Sequence, residues 1–318
     1  MGWLDKLNPL AKRGAKVADT PQKTFGPGEE PQFELSHVGP YKIIAPIGSG
    51  GMGTVYKAID PVRDVTIAIK VLHKQYDEDK KKRRRDYLGR EVLIAAQLNH
   101  PNIIKMNKEI VVQEDVEGNL RRCLLMELID GYDMGYLIKN RDLVSLKQMV
   151  SACIQLCDGL DFLHQHGIVH RDVKPTNFLF SKDWKQLKIV DFGLSKSTTG
   201  WRLRFMRESG GTRMYMAPEQ IRKKKMDGRA DIFSFGITMY ELFTGQHPFF
   251  APNARQISKQ ILSPRFQCAP ASSLNPQITH KLDAVLMKAL QRSLNKRYQS
   301  CTELSLDLRR VFESQSRI

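Results

Sequence analysis

The most informative segment of the sequence is His170-Arg171-Asp172-Val173-Lys174-Pro175-Thr176-Asn177, and Val190-Asp191-Phe192-Gly193 follows it shortly downstream. The two segments supply two carboxylates, a carboxamide and a lysine. Carboxylate and amide oxygens are the ligands that hard divalent cations prefer. Leu187 to Val190, with Ile189 and Val190 β-branched, predicts a strand that runs into Asp191, so a helix cap or an ordinary turn explains this aspartate poorly.

A glycine-rich stretch, Ile47-Gly48-Ser49-Gly50-Gly51-Met52-Gly53-Thr54-Val55, lies upstream between two predicted strands. Glycines let a backbone approach polyphosphate closely and direct amide groups at its oxygens. Alone this pattern is weak, because a glycine-rich hairpin is often only a turn. A dinucleotide-binding fold requires a helix directly after the loop, whereas here a strand follows.

The next predicted strand contains Ile67-Ala68-Ile69-Lys70, with Lys70 seventeen residues past Gly53. Glu91 lies in a predicted helix from Asp77 to Leu98. An isolated lysine at a strand end is usually a solvated charge, and a helical glutamate is usually on the surface. In this order, after the glycine-rich stretch and before His170 to Gly193, the combination resembles the eukaryotic-like protein kinases.

The resemblance covers about residues 41 to 312, and its motifs occur in the family's order. Met216-Ala217-Pro218-Glu219 is similar to the element that closes the family's activation segment. Asp231 to Gly236 matches a further family helix, except that Phe233 stands where the family has tryptophan, and we expect repacking there rather than loss of function. Leu290 to Arg310 looks most like the bacterial branch.

The resemblance implies an α+β, bilobal protein kinase fold with a small β-rich N-lobe and a larger α-helical C-lobe. We expect a flexible extension at 1-40, a kinase domain at 41-312 and a tail at 313-318. Within the domain the N-lobe spans 41-126, the hinge 127-131 and the C-lobe 132-312. The predicted strands are Tyr41 to Ile47, Thr54 to Ile59, Thr66 to Leu72, Ile103 to Gln113 and Arg121 to Leu128. Predicted helices include Leu146 to Leu163, Ala230 to Phe243, Thr279 to Leu290 and Thr302 to Phe312.

The same resemblance implies a serine/threonine protein kinase that uses ATP with Mg²⁺, or Mn²⁺ in its place. Asp172 is the expected catalytic base, Lys174 a cation near the transferred phosphate, and Asn177 and Asp191 the metal ligands. Lys70 and Thr212 complete the expected catalytic set. The expected ATP-binding residues are Ile47, Gly48, Ser49, Gly50, Gly51, Met52, Gly53, Val55, Ala68, Lys70, Glu91, Met126, Glu127, Ile129, Asp133 and Leu179. Structural roles are expected for Asp231 and for a Glu219–Arg297 pair.

Lys174, two residues after Asp172, and Thr212 before Ala217 are typical of the serine/threonine branch, although Thr212 also fits a plain turn. Arg171 beside Asp172 implies regulation by a phosphate on the activation segment. The candidate acceptors there are Ser197, Thr198, Thr199 and Ser209.

Composition sets outer limits on the function. The net charge is +16, and two basic runs, 80-85 and 222-225, are either solvated faces or sites for an acidic partner. We expect protein substrates, including the chain itself by autophosphorylation, and do not expect nucleic acid. The five cysteines form no metal-ligand pattern, and no apolar run reaches the ~18 residues of a membrane span, which together predict a cytoplasmic protein.

Two alternatives stay open at this point. A pseudokinase would keep the fold without the chemistry, although retention of Lys70, Glu91, Asp172, Asn177 and Asp191 argues against it. A small-molecule phosphotransferase shares a similar fold, although the Met216 to Glu219 element argues for protein substrates.

Overall fold

The computed structural model describes residues 35–50, 53–73, 92, 95–192 and 212–315. These residues fall into two compact units. One unit contains the described residues of 35–99 and 104–130 and is built around a sheet. The other contains residues 100–103 and the described residues from 131 onward and is mainly helical.

The sheet unit holds six antiparallel strands in the order β1-β2-β3-β4-β6-β5. Their bounds are β1 His37–Val38, β2 Tyr41–Gly50, β3 Gly53–Asp60, β4 Val65–Leu72, β5 Met106–Glu114 and β6 Leu120–Glu127. Five of them match the strands predicted from the sequence. The sixth, β1, is only two residues long, which is too short for any periodic pattern.

The core of this unit lies under β3, β4 and β6. Ile69 and Val71 of β4 and Cys123 of β6 are fully buried, as the β-branched and apolar run of β4 predicts. Leu35 and Val38 also lie in this core, ahead of the residue 41 boundary drawn from sequence.

Seven helices are described, all in the helical unit. They are α1 Met134–Lys139, α2 Leu146–Gln165, α3 Pro218–Ile221, α4 Gly228–Thr244, α5 Ala254–Leu262, α6 His280–Ala289 and α7 Cys301–Gln315. Residues 92 and 95–97 of the sheet unit are also helical. None of the helices in the described residues combines the length and apolar character needed to cross a bilayer.

Helix α4 is the buried centre of this unit. Nearly all its residues are buried, and its Phe235 ring packs edge-on against Phe178 at 5.6 Å between centroids. Its last turn ends at Gly245, whose φ of 75° is the left-handed conformation that glycine adopts without cost. Helix α2 begins with a capping box between Ser145 and Gln148 and buries the stripe that its three- and four-residue apolar spacing predicts.

A second, three-stranded sheet positions the segment from His170 to Asn177 and the segment that begins at Asp191. Its strands are β7 Gly131–Asp133, β8 Phe178–Ser181 and β9 Leu187–Ile189, in that order. The stretch His170 to Asn177 connects α2 to β8, and Asp191 follows β9 directly. One segment therefore leads into this small sheet and the other leaves it, so the sheet holds the two side by side.

Candidate active site

The loop from His170 to Asn177 is anchored by one buried carboxylate. Asp231 of α4 accepts hydrogen bonds from the backbone N–H groups of His170 and Arg171, both at 2.7 Å, and from Nε2 of His164 at 2.8 Å. Burial alone would raise the pKa of Asp231, but the hydrogen bond from His164 and the neighbouring donors lower it below its ordinary value. Asp231 is therefore a fixed anion beneath the loop.

His170 holds the loop from the inside as a neutral imidazole. Its Nε2 lies 3.0 Å from the carbonyl oxygen of Val190 and must donate, whereas Nδ1 accepts from the backbone N–H of Asp172 at 3.3 Å. Complete burial lowers the pKa of His170, which agrees with this single tautomer. One ring thus connects the segment of Asp172 to the segment of Asp191.

The side chains of Asp172, Lys174 and Asn177 converge. Nζ of Lys174 lies 3.1 Å from Oδ2 of Asp172. The amide nitrogen of Asn177 donates to the backbone oxygen of Asp172 at 2.7 Å and approaches its Oδ2 at 3.4 Å. A short 3₁₀ turn, Pro175–Asn177, provides this geometry by folding the chain back over Asp172.

Asp191 and Arg171 both have a left-handed backbone, with φ values of 59° and 64°. This conformation is uncommon for residues other than glycine, and strained backbone tends to cluster at functional sites. The next residue, Phe192, is 2% exposed, and its ring meets the ring of His170 edge-on at 6.5 Å. Asp191 is therefore fixed on both sides, by the hydrogen bond from His170 to Val190 and by the buried ring of Phe192.

In the sheet unit, Lys70 lies on β4 opposite Val55 of β3 and Leu124 of β6, and it is 4% exposed. Ala68, two residues earlier, lies opposite Met126 of β6. Gly48, Ser49 and Gly50 end β2, Gly53 begins β3, and Ile47 is exposed on β2. A side chain at Gly53 would collide with the backbone oxygen of Val71, so the close approach of these strands requires glycine there.

Four further residues expected to contact ATP lie at or just after the end of β6 and in the β7–β8 pair. Oε1 of Glu127 accepts from the backbone N–H of Lys105 at 2.8 Å, and Ile129 is partly buried after the end of β6. In the helical unit, Asp133 lies opposite Leu179 in the β7–β8 register. The Asp133 side chain caps α1 by accepting from the N–H of Tyr136 at 2.9 Å.

Glu219 and Arg297 form a buried, two-pronged ion pair. The two guanidinium nitrogens Nη1 and Nη2 lie 2.8 Å and 3.3 Å from the two carboxylate oxygens. The Arg297 guanidinium also lies over the ring of Phe233, 4.9 Å from its centroid, where the family has tryptophan. The pair joins Glu219 in α3 to the loop before α7.

Several expected residues lie outside the described residues. They are Gly51, Met52, Glu91, the candidate phosphorylation sites Ser197, Thr198, Thr199 and Ser209, and the basic run 80-85. Thr212 begins the 3₁₀ turn Thr212–Tyr215, but the description covers only its backbone.

Sequence reasoning missed three contacts around this loop. His164 binds Asp231, Gln220 donates to the backbone oxygen of Arg171 at 2.9 Å, and the hydroxyl of Tyr215 donates to Glu241 at 2.7 Å. The only signal available for His164 was its place six residues before His170. The other two contacts join residues far apart in sequence and leave no local pattern.

A family model, curated relatives and a solved structure all show similarity to protein kinases. Residues 41–306 match the model of the protein kinase domain. The chain is 34% identical over 278 residues to the serine/threonine-protein kinase PknB of Mycolicibacterium smegmatis, covering 87% of this chain and 43% of that protein. It is 32% identical to PknH of Mycobacterium bovis, covering 85% of this chain and 44% of that protein. One solved structure, the Mycobacterium tuberculosis PknI kinase domain with two substitutions, aligns with a TM-score of 0.64 and 26% identity over 86% of this chain and 96% of that one.

The chain spans less than half the length of these two curated relatives. Within that span, the similarity is to eukaryotic-like serine/threonine kinases of bacteria, and the fold is the α+β kinase fold predicted from the motifs. The chain therefore belongs to the protein kinase domain family.

Proposed function

We propose that this chain is an ATP-dependent protein kinase that phosphorylates serine or threonine. The observation that carries the proposal is the convergence of Asp172, Lys174 and Asn177 above the Asp231 anchor. Phosphoryl transfer depends mainly on positioning and on electrostatic stabilisation, and both require a rigid loop. Here the loop is fixed from below by a buried anion and from the side by a neutral imidazole.

The donor set fits a magnesium ion. The amide nitrogen of Asn177 is committed to the backbone oxygen of Asp172, so the amide oxygen is the end that faces away from this bond. Asp191 supplies a carboxylate on a backbone held next to the same loop. Magnesium, or manganese in its place, would neutralise phosphate charge at these two oxygen ligands.

Asp172 would orient the acceptor hydroxyl and take its proton. Lys174, 3.1 Å away, would hold the carboxylate in place and offer a positive charge to the transferred phosphoryl group. In the sheet unit, Lys70 and the backbone of Gly48, Ser49 and Gly50 would contact the ATP phosphates. Apolar positions at Val55, Ala68, Met126 and Leu179 would contact the adenine ring.

Regulation by a phosphate on the activation segment is part of the proposal. Arg171 precedes the catalytic aspartate and has a left-handed backbone tied to Asp231 and Gln220. A phosphate on Ser197, Thr198, Thr199 or Ser209 would pair with its guanidinium and order the segment. Autophosphorylation would supply that phosphate.

We propose serine or threonine of protein substrates as the acceptor and the cytoplasm as the cellular setting. Thr212 and Lys174 favour serine and threonine over tyrosine. The five cysteines are free and four of them are buried, which fits a reducing cytoplasm. The run 222-225 would attract acidic partners.

Mass spectrometry tests the proposal. The protein is incubated with ATP, Mg²⁺ and a peptide library, and the modified residues are located. Phosphoserine and phosphothreonine on peptides, absent with Asp172→Asn, support the proposal. Phosphorylation of sugars or other small molecules without any peptide product would favour a small-molecule phosphotransferase, and transfer unchanged in Asp172→Asn would assign the activity to a contaminant.

A further inference from the structure

One region of the helical unit carries positive charge that no carboxylate of the described residues neutralises. The basic surface consists of six exposed side chains: Arg222, Lys223, Lys224, Lys225, Arg255 and Lys259. Within the described chain, none of the six forms an ion pair with a carboxylate. The sequence around them explains this, because residues 242–282 contain no aspartate or glutamate at all.

The few acidic residues nearby in sequence are already used elsewhere. Glu219 is buried against Arg297, and Asp227 is paired with Arg229 at 2.7 Å. Asp231 anchors the catalytic loop, Glu241 accepts from Tyr215, and Asp283 accepts from the backbone of Ser272. Among the described residues, no carboxylate therefore offsets the charge of the basic surface.

The arrangement of these cations does not serve the stability of the fold. Arg255 and Lys259 lie one turn apart on α5, a like-charge spacing that weakens a helix. Lys223 has a φ of 55° at the end of α3, where its N–H bonds to the oxygen of Gln220, a position at which glycine is favoured. Four consecutive cations add further repulsion. These cations therefore lower local stability rather than raise it.

The two parts of the surface are joined. The guanidinium of Arg222 donates to the backbone oxygen of Leu262 at the end of α5, with a distance of 3.4 Å. Helix α5 packs against both α3 and the 3₁₀ turn Thr212–Tyr215. The ring of His247 donates to the backbone oxygen of Met214 at 3.2 Å and so ties the segment before α5 to the same turn.

An exposed phenyl ring lies on the segment that precedes α5. Phe250 is 76% exposed, and its backbone oxygen accepts from Gln260 of α5 at 3.1 Å. An exposed aromatic ring on a segment bonded to the helix of Arg255 and Lys259 fits a peptide with acidic and apolar side chains. The packing of α5 against the turn Thr212–Tyr215 favours a protein substrate over a nucleic acid or a membrane.

We propose that the basic surface, with Phe250, docks an acidic segment of the protein substrate at a distance from the residue that is phosphorylated. The proposal rests on the kinase function above and names the substrate class: proteins that carry a cluster of aspartate or glutamate with an apolar residue. Docking raises the local concentration of the acceptor hydroxyl and lowers KM with little change in kcat.

The test measures binding apart from catalysis. A fluorescent peptide with a serine acceptor and a tail of glutamates and one leucine is titrated with the full chain, and a twin peptide has glutamine for each glutamate. The docking variant is Lys223→Gln/Lys224→Gln/Lys225→Gln. The control variant, Lys185→Gln/Lys296→Gln/Arg310→Gln, removes equal charge at exposed sites elsewhere.

We expect the acidic peptide to bind more tightly than its twin and the docking variant to weaken that binding by about tenfold, as several modest ion pairs would. The control variant and wild type should agree within about twofold, and added salt should reduce the difference. Equal binding of the two peptides, or equal loss in both variants, overturns the proposal. Tighter binding to single-stranded DNA of equal charge, or to phosphatidylcholine vesicles containing phosphatidylserine, also overturns it. Docking without any phosphate transfer would refute the kinase function and leave the docking surface standing.

Discussion

Replacing Glu241 with glutamine should change how the stability of the protein depends on pH. Glu241 is a partly buried carboxyl on α4 that accepts a hydrogen bond from the hydroxyl of Tyr215 at 2.7 Å. Burial raises its pKa from 4.5 to about 7, and the bond from Tyr215 limits the rise. Glutamine keeps the hydrogen-bonding geometry and removes the charge.

The direction of the effect follows from proton binding. Between pH 4.5 and 7 the folded protein keeps the proton of Glu241 while the unfolded chain releases it, so the free energy of unfolding falls as pH rises. The contribution is complete below pH 4.5 and is lost above pH 7. At about 1.4 kcal/mol per pH unit, the loss amounts to roughly 3 kcal/mol.

In the folded protein, the neighbouring groups do not titrate in this window, and the His247 contribution is common to wild type and variant. Burial lowers the pKa of His247, whose ring lies 5.8 Å from that of Tyr215, to about 4. Burial raises the pKa of Tyr215 itself far above neutrality. Glu241 is therefore the group of this cluster that changes charge between pH 5 and 8.

Urea unfolding of wild type and Glu241→Gln at pH 5, 6, 7 and 8 measures the effect. The two proteins should be similar at pH 5, and the variant should be more stable by roughly 3 kcal/mol at pH 8. Tyr215→Phe should move the wild-type transition to higher pH, because it removes the bond that limits the pKa. A stability difference that is constant across this range would show that proton binding by Glu241 does not set the pH dependence.

Glu303→Gln is the matched control. Burial acts to raise the pKa of Glu303, but hydrogen bonds from Lys288 and from the backbone of Gln299 lower it below its ordinary value. Its contribution to stability is thus present above the ordinary pKa and lost in acid. The same substitution at this site should destabilise at pH 7, the opposite sign to Glu241→Gln.

Three further predictions concern buried groups of the helical unit. Arg297→Met leaves Glu219 charged and buried and should lower the free energy of unfolding by about 3–5 kcal/mol in urea titration; a change below 1 kcal/mol would show that the pair is dispensable. Asp231→Asn weakens charge-assisted bonds to the loop from His170 to Asn177, each typically worth about 1.5–3 kcal/mol. The kcat should therefore fall at least about tenfold while ATP affinity, measured by calorimetry, stays within about threefold; an unchanged kcat would contradict the anchoring role. Cys157 and Cys301 are fully buried with raised pKa values, so maleimide should label them only after denaturation, and rapid labelling of the native protein would contradict this burial.

The fold class was predictable because its signature is local. The stretch His170 to Asn177 and the glycine-rich strands each have a sequence pattern tied to one chemistry, and their order along the chain selects one family. Helix α4 was predicted within two residues at its start and one at its end, since its apolar run is long. Strand β1, by contrast, exists only because β2 supplies its hydrogen-bond partners.

Interactions between distant residues could not be predicted. Nothing near Glu241 in sequence indicates that Tyr215 will contact it or that burial will raise its pKa. The bond from His164 to Asp231 likewise depends on α2 and α4 lying side by side. Leu35 and Val38 are buried because the sheet covers them, although their own sequence context is rich in polar residues, glycine and proline.

A steady-state assay tests most directly whether Asp172 acts in phosphoryl transfer. It uses one phosphorylatable peptide, saturating ATP and Mg²⁺, and two purified proteins, wild type and Asp172→Asn. If the loop above Asp231 positions Asp172 for phosphoryl transfer, kcat should fall by at least about a hundredfold in the variant, while ATP still binds with similar affinity. Equal rates for the two proteins, or no transfer by wild type after phosphorylation of its activation segment, would contradict the claim.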